Sequence, residues 1–274
     1  MKITLAQINF KPDDVRGHLG RIMEIINDKA KSDLIVFPEL ILHGHPSDIK
    51  PEGYLYRQVK ARLAKASRSI YGHVKKCQAR VVLGELKRIG DFYRNLATYV
   101  DSNGPRSYAK THVHWTENFQ SGARLKVFRT PLGPIGLNIC YDSAFSEVWR
   151  VLALNGAKLV VNISAVPAHF PVPYMHRRMQ GAAAFNQYFV VYVNRPGPVF
   201  SGGSAVYDPR GDEIVSLGGG EEVVDVELDP FAVDEWRQAE LLFANRRPLL
   251  YRRLTNRNIE VPSGSRHRTL KVAG

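Results

Sequence analysis

The amino-acid sequence predicts an α/β sandwich, because short apolar strand runs alternate with segments of helical spacing and some strands are joined by hairpins. Residues 33–37 form an almost wholly apolar run, which is typical of a strand buried on both faces. Residues 15–26 carry apolar side chains at helical spacing and therefore predict a helix with one buried face. Residues 101–104, Asp-Ser-Asn-Gly, supply the turn of a hairpin.

The remaining elements follow from the same periodicities. Apolar or alternating runs predict further strands at residues 2–8, 79–85, 96–100, 125–128, 135–139, 157–163, 188–194 and 222–228. Helical spacing predicts helices at residues 54–71, at 173–187, at 230–238 and between residue 142 and residues 155–156. We therefore expect one domain at residues 1–245, followed by an extension at residues 246–274.

Composition limits the class of protein. A chain of 274 residues with 44% hydrophobic content is large enough for a sizeable core, and its two cysteines are too few for a disulfide scaffold. The first residues form a short strand-like run without a long apolar segment, and no stretch has the apolar length of a membrane span. We expect a reduced, cytoplasmic setting, in which a catalytic thiol stays available.

The positive charge is concentrated at the C-terminal end. The formal net charge is +12, and the predicted extension contributes eight basic residues against the single acid Glu260. Such a segment can bind a polyanion, so a non-enzymatic polyanion-binding protein is one open alternative. No groove-reading motif accompanies the charge, and we expect no nucleic-acid partner.

Cys140 is the first candidate for chemistry. It follows the strand predicted at residues 135–139, and apolar residues recur at helical spacing from Phe145 onward. A cysteine at a strand-to-helix turn can be a nucleophile, with the Tyr141 N–H as an oxyanion donor, and the helix N-terminus is expected to favour the thiolate. The alternative is a small buried hydrophobic side chain, which is the commoner role of a free cysteine.

Three charged residues upstream could complete a site with Cys140. Glu39 follows the buried strand at residues 33–37, where a carboxylate is placed to act as a general base. Lys110 follows a short strand-like segment, and Glu117 comes seven positions later. A lysine between carboxylates and a thiol would stabilise a developing oxyanion, and Glu117 would hold that lysine in place.

The four residues lie in motifs that resemble those of the carbon–nitrogen hydrolase (nitrilase) superfamily, in the amidase-like branch. The motifs occur in the family's order and are Phe37-Pro38-Glu39, Lys110-Thr111-His112, Glu117-x-x-Phe-x-x-Gly122 and Gly136-x-x-x-Cys140-Tyr141-Asp142. The resemblance implies a four-layer αββα sandwich and a Glu-Lys-Cys triad of Glu39, Lys110 and Cys140, with Glu117 as the second glutamate. It also implies that Ser164 and Ala165 lie in a loop lining the substrate pocket.

The resemblance further implies the activity. Members hydrolyse small amides, N-carbamoyl compounds or nitriles through a thioester, need no metal or other cofactor, and usually form homodimers or larger homo-oligomers. Cys-Tyr-Asp favours an amidase over a nitrilase, and an acyltransferase on the same scaffold is a further alternative. The sequence departs from the family pattern at Ala144 and Ser146, where arginine and proline are common, and at Phe185, where glutamate is common.

Overall fold

A computed structural model describes residues 1–11, 14–44, 54–90 and 92–256, without the side chains of residues 15 and 54–63. The chain divides into two compact units, a large unit of residues 1–236 and a small C-terminal unit that begins at Arg237. Helix α5 (Ala232–Ala239) spans this division, and a 3-10 helix at Pro248–Thr255 belongs to the small unit.

The large unit contains two six-stranded sheets. The first sheet has the order β12-β1-β2-β3-β4-β5, and its strands are β1 (Lys2–Gln7), β2 (Leu34–Val36), β3 (Val81–Ile89), β4 (Phe92–Asp101), β5 (Gly104–Ala109) and β12 (Glu222–Glu227). The second sheet has the order β11-β10-β9-β8-β7-β6, and its strands are β6 (Val127–Thr130), β7 (Gly133–Ile139), β8 (Leu159–Ser164), β9 (Phe189–Asn194), β10 (Ala205–Tyr207) and β11 (Glu213–Ser216).

Buried side chains show that the sheets face each other. Alternate residues of strands from both sheets, such as Leu5, Val36, Leu137 and Val191, join one apolar cluster. The opposite face of the first sheet packs against α1 (Val15–Asp28) and α2 (Tyr54–Cys77). Helices α3 (Ser146–Leu154) and α4 (Val172–Asn186) contact strands of the second sheet. The predicted αββα sandwich is confirmed.

Strand directions place the candidate residues at matching ends of the sheets. Strand β2 is parallel to β3, which is antiparallel to β4, and β4 is antiparallel to β5, so β2 and β5 run the same way. Their carboxyl ends, which lead to Glu39 and Lys110, therefore lie at one edge of the first sheet. In the second sheet β7 and β8 are parallel, which brings Ile139 opposite Ile163.

Several predicted boundaries are wrong by a few residues. The helix predicted at 54–71 continues to Cys77, and the strand predicted at 125–128 is β6. A single 3-10 turn at Cys140–Ala144 precedes α3, so the α-helix does not begin directly after the cysteine. A helix or strand ends where its backbone hydrogen-bonding pattern ends, and the spacing of apolar residues does not indicate that position.

Glu85 links α2 to the first sheet. Its buried carboxylate accepts hydrogen bonds from the hydroxyls of Ser67 and Thr98, both at 2.5 Å, and from Tyr71. One carboxylate thus satisfies hydroxyl groups on a helix and on the neighbouring strand β4.

We predict that Glu85→Ala lowers the free energy of unfolding by about 3 kcal/mol, because it leaves several buried hydroxyls without their charged acceptor. Urea unfolding monitored by circular dichroism measures the change. Glu24→Ala is the matched control, since Glu24 is exposed on α1 and should change stability by at most about 0.5 kcal/mol. Equal stability of the two variants would contradict this role for Glu85.

Candidate active site

Lys110 is the centre of the candidate site. Its side chain is 1% exposed, and its Nζ donates to Glu39 Oε1 at 3.0 Å and to the two Glu117 oxygens at 2.9 and 2.8 Å. Burial by itself lowers the pKa of this ammonium, but the negative charge of Glu39, that of the Cys140 thiolate where it forms, and the charge and hydrogen bond of Glu117 outweigh burial and raise the pKa above the usual range. The lysine is therefore a permanent cation at neutral pH.

Glu39 is fully buried and uses only one of its two oxygens for hydrogen bonds among the described residues. Oε1 accepts from Lys110 and, at 2.6 Å, from Asn95 Nδ2, whereas Oε2 is buried with no partner among them. The backbone carbonyl of Asn95 also accepts a hydrogen bond from the Lys110 backbone N–H at 2.9 Å. Asn95 thus fixes both the lysine and the carboxylate, and Oε2 is left with acceptor capacity for a proton.

Two glycines allow the chain segments around Glu39 and Lys110 to approach closely. A Cβ on Gly84 of β3 would lie 2.2 Å from Leu40 N and 2.6 Å from the Glu39 carbonyl carbon. A Cβ on Gly122 would lie 2.3 Å from the Ala109 carbonyl oxygen. Such distances exclude a side chain, so each glycine is required by the position of a backbone segment beside the site.

Cys140 begins the 3-10 turn at the end of β7 with a φ of 45°. A positive φ is uncommon for a residue with a side chain and is a form of local strain that functional sites often contain. The Ala165 N–H donates to the thiol, and the charges of Glu39, Lys110 and Glu117 all act on it. The three predicted triad residues and Glu117 are therefore brought together from both sheets.

The expectation of a thiolate favoured by a helix N-terminus is wrong. Burial, together with the negative charge of Glu39, raises the pKa of the Cys140 thiol, and the opposing effects of Lys110 and the Ala165 N–H are smaller. The α-helix begins only at Ser146, and the segment that begins at the cysteine is a five-residue 3-10 turn. The resting thiol is consequently protonated at neutral pH and needs a base.

Asp142 joins the lysine segment to the nucleophile turn. Its Oδ1 accepts from Thr111 Oγ1 at 2.9 Å and from the His112 backbone N–H at 2.8 Å. Its Oδ2 accepts from Tyr108 OH at 2.8 Å and from the Ile139 N–H at 3.0 Å. The side chain is fully buried, so this single carboxylate fixes the distance between two strand ends that belong to different sheets.

The residues predicted to bind substrate have different surroundings. Tyr141 is partly exposed beside the nucleophile, and Ala165 is buried with its N–H directed at the thiol. Ser164 is fully buried, and its hydroxyl donates to Asn162 Oδ1 at 2.7 Å. The Ser164 hydroxyl is therefore directed into the strand layer, and a contact of any of the three with substrate remains a prediction.

Sequence reasoning missed the positioning residues Asn95, Asp142 and Tyr108. The available signal was a polar residue beside an apolar strand run, as at Asn95 and Asp142, because a polar group that is buried there needs a hydrogen-bond partner. Among the described residues no group of three or more His, Cys, Asp or Glu side chains could hold a metal ion, and no helix is long and apolar enough to cross a membrane. The sequence does not predict a metal site at His43 and His45, because no third ligand has a recognisable spacing, and His45 lies outside the described residues.

A cavity of about 500 Å³ is lined by none of Glu39, Lys110, Glu117 and Cys140. It is lined by Leu125, Lys126, Val127, Phe128, Arg129, Pro134, Asn155 and Gly156. The charged cluster, rather than this cavity, carries groups that can perform acyl transfer.

Comparison with known proteins gives a consistent result. A sequence model of the carbon-nitrogen hydrolase family matches residues 2–238. A probable nitrilase of Schizosaccharomyces pombe is 31% identical over an alignment that covers 93% of this chain and 99% of that protein. An (R)-stereoselective amidase of a Pseudomonas species is 31% identical, with 84% of this chain and 86% of the amidase covered.

A partial match and two solved structures add to this. A glutamine-dependent NAD(+) synthetase of Aquifex aeolicus is 30% identical over 84% of this chain, which corresponds to 42% of the synthetase. The carbon-nitrogen hydrolase of Helicobacter pylori G27 superimposes with a TM-score of 0.84 at 20% identity and covers 94% of this chain and 99% of its own. An amidase of Nesterenkonia sp. AN1 gives 0.80 at 24% identity, with 93% and 99% covered. Both structures share the fold of this chain.

We predict that Asp142→Asn lowers kcat at least tenfold on any amide that the wild type hydrolyses, with a smaller change in KM. Either orientation of the new amide directs its NH₂ group at a backbone N–H, which separates the Lys110 segment from the Cys140 turn. Steady-state kinetics measure both constants. Asp212→Asn is the exposed control, and a KM effect that exceeds the kcat effect would contradict the positioning role.

The raised pKa of the Cys140 thiol predicts a distinctive pH profile. In a Cys77→Ser background, the rate of reaction with methyl methanethiosulfonate should keep rising beyond about pH 9, because the protein thiolate forms only above the usual thiol pKa. Glu39→Gln removes a negative charge and should lower that pKa. A rate that reaches its plateau below pH 8 in the Cys77→Ser protein with Glu39 intact would contradict this prediction, because the resting thiol would then already be ionised.

Proposed function

Because the chain belongs to the carbon–nitrogen hydrolase family, we propose that it hydrolyses the C–N bond of a small amide or N-carbamoyl compound through a thioester on Cys140. The observation that carries the proposal is the buried Lys110, held between Glu39 and Glu117 and acting electrostatically on the Cys140 thiol. Acyl transfer to a protonated thiol requires a base that removes the proton and a positive charge that stabilises the oxyanion. Glu39 Oε2 and the Lys110 ammonium are the groups that we assign to these two roles.

In the first half of the reaction Glu39 Oε2 takes the proton of the Cys140 thiol as the sulfur attacks the carbonyl carbon. The proton moves from one acidic group to another inside the cluster, so the net charge of the buried groups does not change. The oxyanion that forms is stabilised by the Lys110 ammonium and the Tyr141 N–H. As the tetrahedral intermediate collapses, protonated Glu39 gives its proton to the departing nitrogen, which leaves as ammonia or an amine.

In the second half water hydrolyses the thioester. Glu39 takes a proton from the water, whose oxygen attacks the acyl carbon, and Lys110 again stabilises the oxyanion. The intermediate then breaks its carbon–sulfur bond, and the proton on Glu39 returns to the sulfur. The sum is one amide and one water converted to one acid and one ammonia or amine, with the cysteine, lysine and glutamate restored.

Two features support an amide over the alternatives. The Cys140-Tyr141-Asp142 motif favours amidases, and the similar Pseudomonas protein is an (R)-stereoselective amidase. The similarity to a probable nitrilase of Schizosaccharomyces pombe keeps nitrile hydrolysis as the second candidate. An acyltransferase would use the same thioester but transfer the acyl group to an amine in place of water.

We predict ammonia release from at least one member of a panel of primary amides, N-carbamoyl compounds and nitriles. Cys140→Ala should abolish it, because no other described group is placed to form the thioester, whereas Cys77→Ala should retain it, since Cys77 lies in the last turn of α2. A coupled glutamate dehydrogenase assay measures the ammonia. Equal release by Cys140→Ala and wild type would refute the nucleophile assignment, and a product formed only with an added amine would favour the acyltransferase.

A further inference from the structure

A row of five aromatic rings connects the nucleophile turn with the loop that precedes the second glutamate. We call it the aromatic strip, and its members are His112, His114, Trp115, Tyr141 and Phe145. None belongs to the proposed chemistry through its side chain. Four of the rings are partly exposed, and Trp115 is 71% exposed.

Tyr141 links two stacked pairs within the strip. Trp115 stacks on His114 with ring centroids 3.7 Å apart, and Tyr141 meets these two rings edge-on at 5.9 and 4.9 Å. His112 stacks on Phe145 at 3.9 Å, and Tyr141 meets Phe145 edge-on at 5.3 Å. These contacts fix the rings relative to one another, so the strip is a preorganised surface rather than a set of independent side chains.

The strip is anchored to the candidate site at both ends. Tyr141 is the residue after Cys140, and the His114 backbone N–H donates to Glu117 Oε2 at 3.0 Å. Glu117 in turn holds Lys110. The strip is therefore a partly exposed surface that adjoins both the nucleophile and the second glutamate.

Burial distinguishes the two sides of Cys140. Glu39, which protonates the departing nitrogen in the proposed reaction, is fully buried. In the proposed reaction the acyl group stays attached to Cys140, and the next residue, Tyr141, is partly exposed and belongs to the aromatic strip. None of the five rings carries a permanent charge, and the Asp142 carboxylate, which lies 3.1 Å from His112 Nδ1, already accepts four other hydrogen bonds, so the strip offers no free ion-pair partner to a charged acyl chain.

We propose that the aromatic strip binds the acyl group of the substrate, and that the preferred substrates are primary amides whose uncharged acyl group carries an aromatic ring. The inference rests on the proposed function and adds a substrate class to it. An aromatic acyl group gains stacking and edge contacts with Trp115 and Tyr141, which an aliphatic chain of equal area does not.

The test compares kcat/KM for phenylacetamide, hexanamide, glutamine and acetamide. The wild type should prefer phenylacetamide over hexanamide, with glutamine the poorest. Trp115→Ala should lower the ratio of phenylacetamide to acetamide about three- to tenfold, the range expected for one aromatic contact. Trp115→Phe should restore most of that ratio. Phe231→Ala, which removes an exposed aromatic residue outside the strip, should leave the ratio unchanged.

Binding to Cys140→Ala provides a second readout that does not depend on turnover. Phenylacetamide should bind this variant more tightly than hexanamide, and Trp115→Ala in the same background should remove the difference, as measured by calorimetry. Absent ammonia release with this binding pattern intact would overturn the proposed function and leave the strip as an aryl-binding site. Equal affinities for the two amides, or a phenylacetamide ratio that Trp115→Ala does not change, would overturn the strip proposal.

Discussion

The structure depends on one interaction, the buried contact of the Lys110 ammonium with the carboxylates of Glu39 and Glu117. A buried ion pair is stable only if the remaining hydrogen-bonding capacity is also satisfied, because removing charges from water is costly. Asn95 Nδ2 donates a hydrogen bond to Glu39, the His114 N–H donates one to Glu117, and Lys110 donates to both carboxylates. Among the described residues Glu39 Oε2, the atom that the proposed reaction uses as a base, has no partner, and neither has Asn95 Oδ1.

The two-sheet architecture explains how these groups meet. Glu39 and Lys110 follow strands of the first sheet, whereas Cys140 follows a strand of the second. Sheet packing alone does not fix such positions to the accuracy that acyl transfer needs. Asp142 adds the missing constraint, because its two oxygens bind the segment after β5 and the end of β7 together.

The sequence was sufficient for the sandwich and for the position of the four charged and nucleophilic residues in it. Apolar runs indicate buried strands directly. The motifs that follow these runs predict Glu39, Lys110 and Cys140 just after strand ends and Glu117 in the loop that follows Lys110. The expected lowering of the Cys140 pKa by a helix N-terminus was wrong, since that pKa depends on burial and on the nearby charge of Glu39, neither of which a local pattern contains.

The positioning network and the aromatic strip were also beyond sequence reasoning. The role of Asn95 requires its contact with Glu39, a residue 56 positions away. The strip likewise combines rings from the nucleophile turn and from the loop before Glu117, and only the contacts of Tyr141 with His114 and Phe145 show that they form one surface. Long-range contacts of this kind follow from how the two sheets pack, so they become visible only once the fold is known.

The central claim is that Cys140, activated by Glu39 and Lys110, carries the acyl group during turnover. Rapid acid quenching during hydrolysis of a reactive amide, followed by peptide mass spectrometry, tests it most directly. The account predicts an acyl adduct on the peptide that contains Cys140 and its loss when alkaline hydroxylamine cleaves the thioester. Turnover without any adduct on that peptide, or an adduct on Cys77, would contradict it.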